Sequence, residues 1–119
     1  MMRHRRGGAL AFCALAAGAG LLSACGSPQS PASVTSVCRQ VSAVLSDGPD
    51  PGADPVGYAE AQVLPLRQIH TSDKDLKGAI DDLASAYQEF FRSNGTKAAK
   101  EAVSRAGDRV TAICPGSVS

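Results

Sequence analysis

The sequence predicts an all-α fold, a small antiparallel four-helix bundle. Three observations carry that expectation. Four segments place their apolar residues at helical spacing, the connections between them are short, and no stretch alternates with the period of two that a half-buried strand requires. Short connections favour antiparallel neighbours in an up-down-up-down order.

The first helix is expected from about Pro31 to Ser46. Val34, Val37, Cys38, Val41 and Leu45 recur at i, i+3, i+4, i+7 and i+11 and so share one face. Ser30 is placed to cap it with Pro31 as its first residue, and Gly48-Pro49 stops it. Its four valines lower intrinsic helix propensity, so packing must hold it. Asp47 to Asp54 then carries three Asp, two Pro and two Gly in eight residues, the composition of a turn.

Asp54-Pro55 supplies a cap and a first residue for the second helix, expected to run to about His70 with Val56, Ala59, Val63, Leu66 and Ile69 inward. Pro65 removes one backbone hydrogen bond and crowds the preceding turn, so a kink or break is expected near Ala61 to Leu64. In the third helix, Ser72 followed by Asp75 reads as a capping box with Asp in place of Glu. Leu76, Ala79, Ile80, Leu83, Tyr87 and Phe90 give it the strongest periodicity in the chain, with Lys77 and Asp81 one turn apart outside. Ser93-Asn94-Gly95 closes it, and Thr96 caps the fourth helix. There Ala99, Val103, Ala106, Val110 and Ile113 face inward, and Glu101 and Arg105 pair outside. Pro115-Gly116 ends the helix, and Ser117 to Ser119 are expected to be loose.

The residues ahead of the bundle bear on where it works. Arg3, His4, Arg5 and Arg6 precede an apolar run from Ala9 to Leu22. At about 14 residues that run falls short of the roughly 20 a membrane span needs, so it reads as a cleaved export signal. Leu22-Ser23-Ala24-Cys25 resembles a bacterial lipobox, in which the cysteine is lipidated and becomes the first residue of the mature protein. The chain as a whole resembles the small, Ala-rich helical lipoproteins exported by high-GC Gram-positive bacteria. That resemblance implies lipidation of Cys25 by a diacylglyceryl transferase, cleavage by the lipoprotein signal peptidase, and a lipid-anchored place on the extracytoplasmic face of the cell membrane. It implies no other functional residue. The expected organisation is a signal over 1–24, the lipidated Cys25 with a short linker over 25–31, and the bundle over 32–116.

On this reading Cys13 leaves with the signal and Cys25 carries the lipid, so Cys38 and Cys114 remain as a pair. An exported protein meets an oxidising environment, where two such thiols are expected to join. The topology agrees, because in an up-down-up-down bundle the start of the first helix lies beside the end of the fourth. Closing a loop of about 77 residues stabilises the fold by about 4 kcal/mol in the chain-entropy model. That is a large share of what a domain this small can hold. Removing Arg3, Arg5 and Arg6 leaves 9 basic against 11 acidic residues, a net charge of −2. Neither nucleic acid nor an anionic surface is favoured as a partner; the bilayer is reached through the acylated Cys25.

No catalytic constellation is expected. No serine sits in a Gly-x-Ser-x-Gly setting, no glycine-rich phosphate loop occurs, and Asp81 and Asp82 point about 100° apart on their helix. His70 with Asp73 and Asp75 straddles a helix boundary, where capping and solvation already call for polar residues. No metal or cofactor is implied. Tyr58, Tyr87, Phe90 and Phe91 form the candidate ligand or partner surface: Tyr87 and Phe90 lie on the apolar stripe, whereas Phe91 falls at its edge beside Arg92. The expected function is a non-catalytic binding or structural role in the cell envelope. One alternative is a small apolar-ligand or haem carrier, since tyrosine can ligate haem iron, though no haemophore motif is found. The other is an inhibitor or accessory subunit of a cell-envelope enzyme.

Overall fold

The computed structural model describes residues 33–117; the expected signal, the expected lipobox with Cys25 and the expected linker lie outside the described residues. Four helices form: α1 (Val34–Leu45), α2 (Pro55–Arg67), α3 (Lys74–Arg92) and α4 (Lys97–Ile113), with no strand among the described residues. The fold is the all-α bundle that the apolar spacing predicts. α3 is its spine, packed on one side by α2 and on another by α4, while α1 rests more lightly on α2.

The reason lies in how much each helix buries. Leu76, Ala79, Ile80, Leu83, Tyr87 and Phe90 of α3 are all buried, as their spacing requires, and Ala84 and Ala86 join them. α2 contributes Ala59 and Leu66, and α4 contributes Ala99 and Val110. α1 buries only Val37 and Val41, and its first apolar residue, Val34, is exposed. Three links compensate for that small interface. The Cys38–Cys114 disulfide ties α1 to the end of α4, with the two Cα atoms 5.3 Å apart. The Tyr58 hydroxyl of α2 donates to the Leu45 carbonyl at 2.6 Å, and the Gln62 amide donates to the Asp47 carbonyl at 2.9 Å.

Helix ends depart from the sequence expectations in instructive ways. α1 is capped by Ser33, whose hydroxyl accepts from the Ser36 amide at 3.1 Å; Ser30 and Pro31 lie outside the described residues. α2 starts as expected, with Asp54 as cap and Pro55 in its first turn. It passes through Pro65 without the expected break and stops at Arg67, three residues before His70. Pro65 has no amide to offer the Ala61 carbonyl, and beyond it the last turn tightens: the Gln68 amide is shared between the Leu64 and Pro65 carbonyls and the Ile69 amide bonds Leu66, each at 3.2 Å. α3 is capped by Asp73, not Ser72: its carboxylate accepts from the Leu76 amide at 2.8 Å, a charge-assisted bond favoured at a helix N-terminus.

The α3–α4 corner is a Schellman turn. The Asn94 amide bonds the Phe91 carbonyl and the Gly95 amide bonds the Phe90 carbonyl, with φ of 57° at Asn94 and 81° at Gly95. Thr96 then caps α4 through the Ala99 amide. Outside the core, Lys77 pairs with Asp81 at 2.8 Å and Arg109 of α4 pairs with Asp82 of α3. Glu101 and Arg105 form no ion pair among the described residues, so that expected surface pair is not made.

Removing the disulfide should therefore act first on α1. A Cys38→Ser/Cys114→Ser protein should lose about 4 kcal/mol of unfolding free energy in a denaturant titration. In native-state hydrogen exchange, α1 amides should lose protection while those of α3 keep theirs.

Candidate functional site

The candidate site grows out of the way α1 is fastened. Tyr58, on the α2 face toward α1, reaches the last carbonyl of α1, and Tyr87 of α3 meets it ring to ring. The ring centroids are 5.8 Å apart and the planes cross at 79°, the edge-to-face arrangement that aromatic quadrupoles prefer. Above these rings a cleft of about 450 Å³ opens between the end of α1 and the turn after α4. Ser42, Leu45 and Ser46 form one wall, Pro51 the rim, and Gly116 and Ser117 the opposite wall. The disulfide lies directly behind: Ser42 is one turn beyond Cys38, and Ser117 follows three residues after Cys114.

Ser117 is a correction to the expected loose tail. It is buried, its amide and its hydroxyl both bonding the Cys114 carbonyl at 3.2 and 2.8 Å. Positive φ at Gly116 (83°) turns the chain back so that Ser117 can make those bonds.

Both phenols have pKa values raised above the ordinary tyrosine range. Burial is the main cause for each, because the ionised form loses its water. For Tyr87, repulsion from an ionised Tyr58 and its hydrogen bond to that phenol push further the same way; for Tyr58 the shared bond works against burial. The Tyr58 hydroxyl keeps its proton on the Leu45 carbonyl, which ties α2 to the end of α1.

The four aromatic candidates separate. Tyr58 and Tyr87 come together on the floor of the cleft; Phe90 is buried in the core, near Val56 and beneath Gly95; Phe91 stands 38% exposed at the far end of α3. Phe91 has company on its own surface. Arg67 of α2 bridges to Gln88 of α3 at 3.1 Å, and one turn along each helix from that bridge lie Leu64, 65% exposed, and Phe91. His70 is exposed, Asp73 is engaged as a cap, and among the described residues no three His, Cys, Asp or Glu side chains gather where a metal could sit. Asp81 and Asp82 bond to different partners, Lys77 and Arg109, consistent with their divergence on the helix.

Gln62 is the residue that sequence reasoning missed. It is buried on the α1–α2 side, beside Gly48, where φ is 102° and a Cβ would come within 3.1 Å of the Gln62 amide nitrogen, so a side chain has no comfortable room. Its Nε2 donates to Asp47, which fixes the amide orientation, and its Oε1 has no protein partner. The signal was present in the spacing: position 62 lies three after Ala59 and four before Leu66, on the same inward stripe.

No protein-family model, no curated protein and no solved structure matches this chain. No helix among the described residues is long and apolar enough to cross a membrane.

The tyrosine pair has a measurable signature in base. A phenol whose folded pKa exceeds its unfolded one stabilises the fold fully below the unfolded value and loses that contribution as pH rises through the folded value. Unfolding free energy should therefore decline above about pH 10, where the unfolded tyrosines ionise first. Tyr87→Phe should flatten this decline relative to the wild type in urea titrations run across that range.

Proposed function

We propose that this chain is a lipid-anchored extracytoplasmic protein whose helical domain acts by binding and not by catalysis. The lipobox reading of Leu22 to Cys25 supports the anchor, and the Cys38–Cys114 disulfide supports the compartment, because such bonds persist where the surroundings are oxidising. The observation that carries binding is the cleft over Tyr58 and Tyr87, whose volume of about 450 Å³ falls within the range of small-ligand sites. Its walls come from α1, α2, α3 and the turn after α4, so it is built by the tertiary fold.

Its chemistry separates the carrier alternatives. An apolar-ligand or haem carrier calls for an apolar lining and, for tyrosine ligation, an accessible phenolate. This cleft carries three serines, and burial holds both phenols protonated. A hydrogen-bonding small molecule fits better. A second reading, an accessory or inhibitory subunit of an envelope enzyme, is favoured by the exposed Leu64 and Phe91 along the α2–α3 seam.

The anchor is tested by replacing Cys25 with Ala and expressing the full chain in an actinobacterial host. The variant should leave the membrane fraction, and wild-type protein should gain the mass of a diacylglyceryl group at an N-terminal Cys25. Membrane retention of the variant would sink the lipoprotein reading. For the second reading, Phe91→Glu should abolish co-purification of an envelope protein while leaving the unfolding free energy within about 0.5 kcal/mol, as expected for an exposed site.

A further inference from the structure

We propose that the cleft over Tyr58 and Tyr87 is a binding site for a small organic ammonium ion. The proposal rests on the binding reading of the domain and names the ligand chemistry of that same cleft.

The first argument is an accounting of protons. A hydroxyl has one proton to donate and two lone pairs to offer. Ser46 spends its proton on the Ser42 carbonyl at 2.7 Å, Ser117 on the Cys114 carbonyl at 2.8 Å, and Tyr58 on the Leu45 carbonyl at 2.6 Å. Three of the five hydroxyls lining the cleft, those of Ser46, Ser117 and Tyr58, therefore present lone pairs and no proton. Burial keeps both phenols protonated at neutral pH, so this pattern persists there. No Lys, Arg or His lines the cleft; Arg39 belongs to the neighbouring groove across the disulfide. At these three positions an anion's oxygen would face an acceptor, whereas an ammonium group meets the partners it needs.

The second argument is the field. α1 ends at Leu45, and the cleft lies at that end; the turn after α4 supplies the opposite wall. Each helix C-terminus carries about half a negative charge, and cations are stabilised near it. Asp47 and Asp50 lie in the loop between Ser46 and Pro51 without lining the cleft, Asp47 bordering the adjoining groove, so their two charges act on it from the neighbouring surface, as does that of Arg39 from the groove on the other side. Beneath them the two tyrosine rings pack edge to face. Lone pairs, helix poles and the loop carboxylates select the same charge. The volume suits an alkylammonium of a few carbons, free or presented on a lipid headgroup.

The test uses the full-length, disulfide-bonded chain in neutral detergent micelles, with amide and tyrosine-ring shifts followed by NMR. The probes are n-butylammonium, n-butanol and butyrate, three ligands of similar shape and different charge. Butylammonium should saturate shifts at Ser46, Tyr58, Tyr87 and Ser117 at least tenfold more tightly than butanol, and butyrate should leave them unmoved. Raising the salt should weaken the binding. Asp47→Asn/Asp50→Asn keeps both side-chain acceptors for the loop amides of Gly48 and Gly52, so the loop fold is retained, and should weaken butylammonium several-fold. Ser117→Ala should weaken it about tenfold, the usual worth of a hydrogen bond to a charged group. Micelles doped with phosphatidylethanolamine, compared with phosphatidylcholine, distinguish a headgroup source from a free amine: shifts with the former alone would mark a lipid amine.

Binding of butanol or butyrate as strong as that of butylammonium would overturn the ammonium assignment while leaving a small-molecule site in place. Butylammonium shifts confined to residues away from the cleft would overturn it as well. If none of the three probes moves the cleft residues, the small-ligand reading of the domain fails with it.

Discussion

The disulfide between Cys38 and Cys114 is the constraint on which the arrangement depends. α2, α3 and α4 hold one another through a shared apolar core, but α1 fully buries only Val37 and Val41 there, with Cys38, Val44 and Leu45 half-buried against it. At about 25 cal/mol per Å² of apolar surface, so narrow a stripe is little to set against the entropy of ordering a twelve-residue helix. The covalent link removes much of that entropy from the unfolded chain instead, because it closes a separation of 76 residues.

What the bond holds in place is also what makes the cleft. Ser42 and Ser46 belong to the helix it secures on one side, and Gly116 and Ser117 to the turn it secures on the other. The Tyr58 bond to Leu45 and the Gln62 bond to Asp47 then fix the far end of α1, so the helix is pinned at both ends. The first of these bonds satisfies a carbonyl of the helix end, where four such groups lack intrahelical partners, and the second holds the loop just beyond it. Structural need and site formation coincide here. The hydroxyl protons used to tie down α1 and the final turn are the protons that the cleft no longer has to offer.

Helix boundaries were only partly legible in the sequence. Asp54-Pro55, Ser93-Asn94-Gly95 and Thr96 were readable because each is a short motif with one good conformation. Ser72 and Asp73 were not separable, since either side chain can accept from an early helical amide and the choice depends on a fraction of a turn. Glu101 and Arg105 have the right spacing to pair yet do not, as exposed ion pairs contribute little and are easily given up to water.

The sequence by itself determined the elements and the core: four helices, the α3 stripe from Leu76 to Phe90, and the pairing of Cys38 with Cys114. These follow from local rules, a 3.6-residue period and a cysteine count, that act along one segment at a time. Tertiary structure alone decided the site. Ser42 with Ser46, Tyr58, Tyr87 and Ser117 come from four separate segments and meet only once the helices have packed. Gln62 shows the same limit: its spacing placed it inward, but whether a buried amide is tolerated depends on the Asp47 carbonyl, which comes from another element. A hydrogen bond between segments has no signature in either segment alone, so the chemistry of the cleft became readable only with the fold.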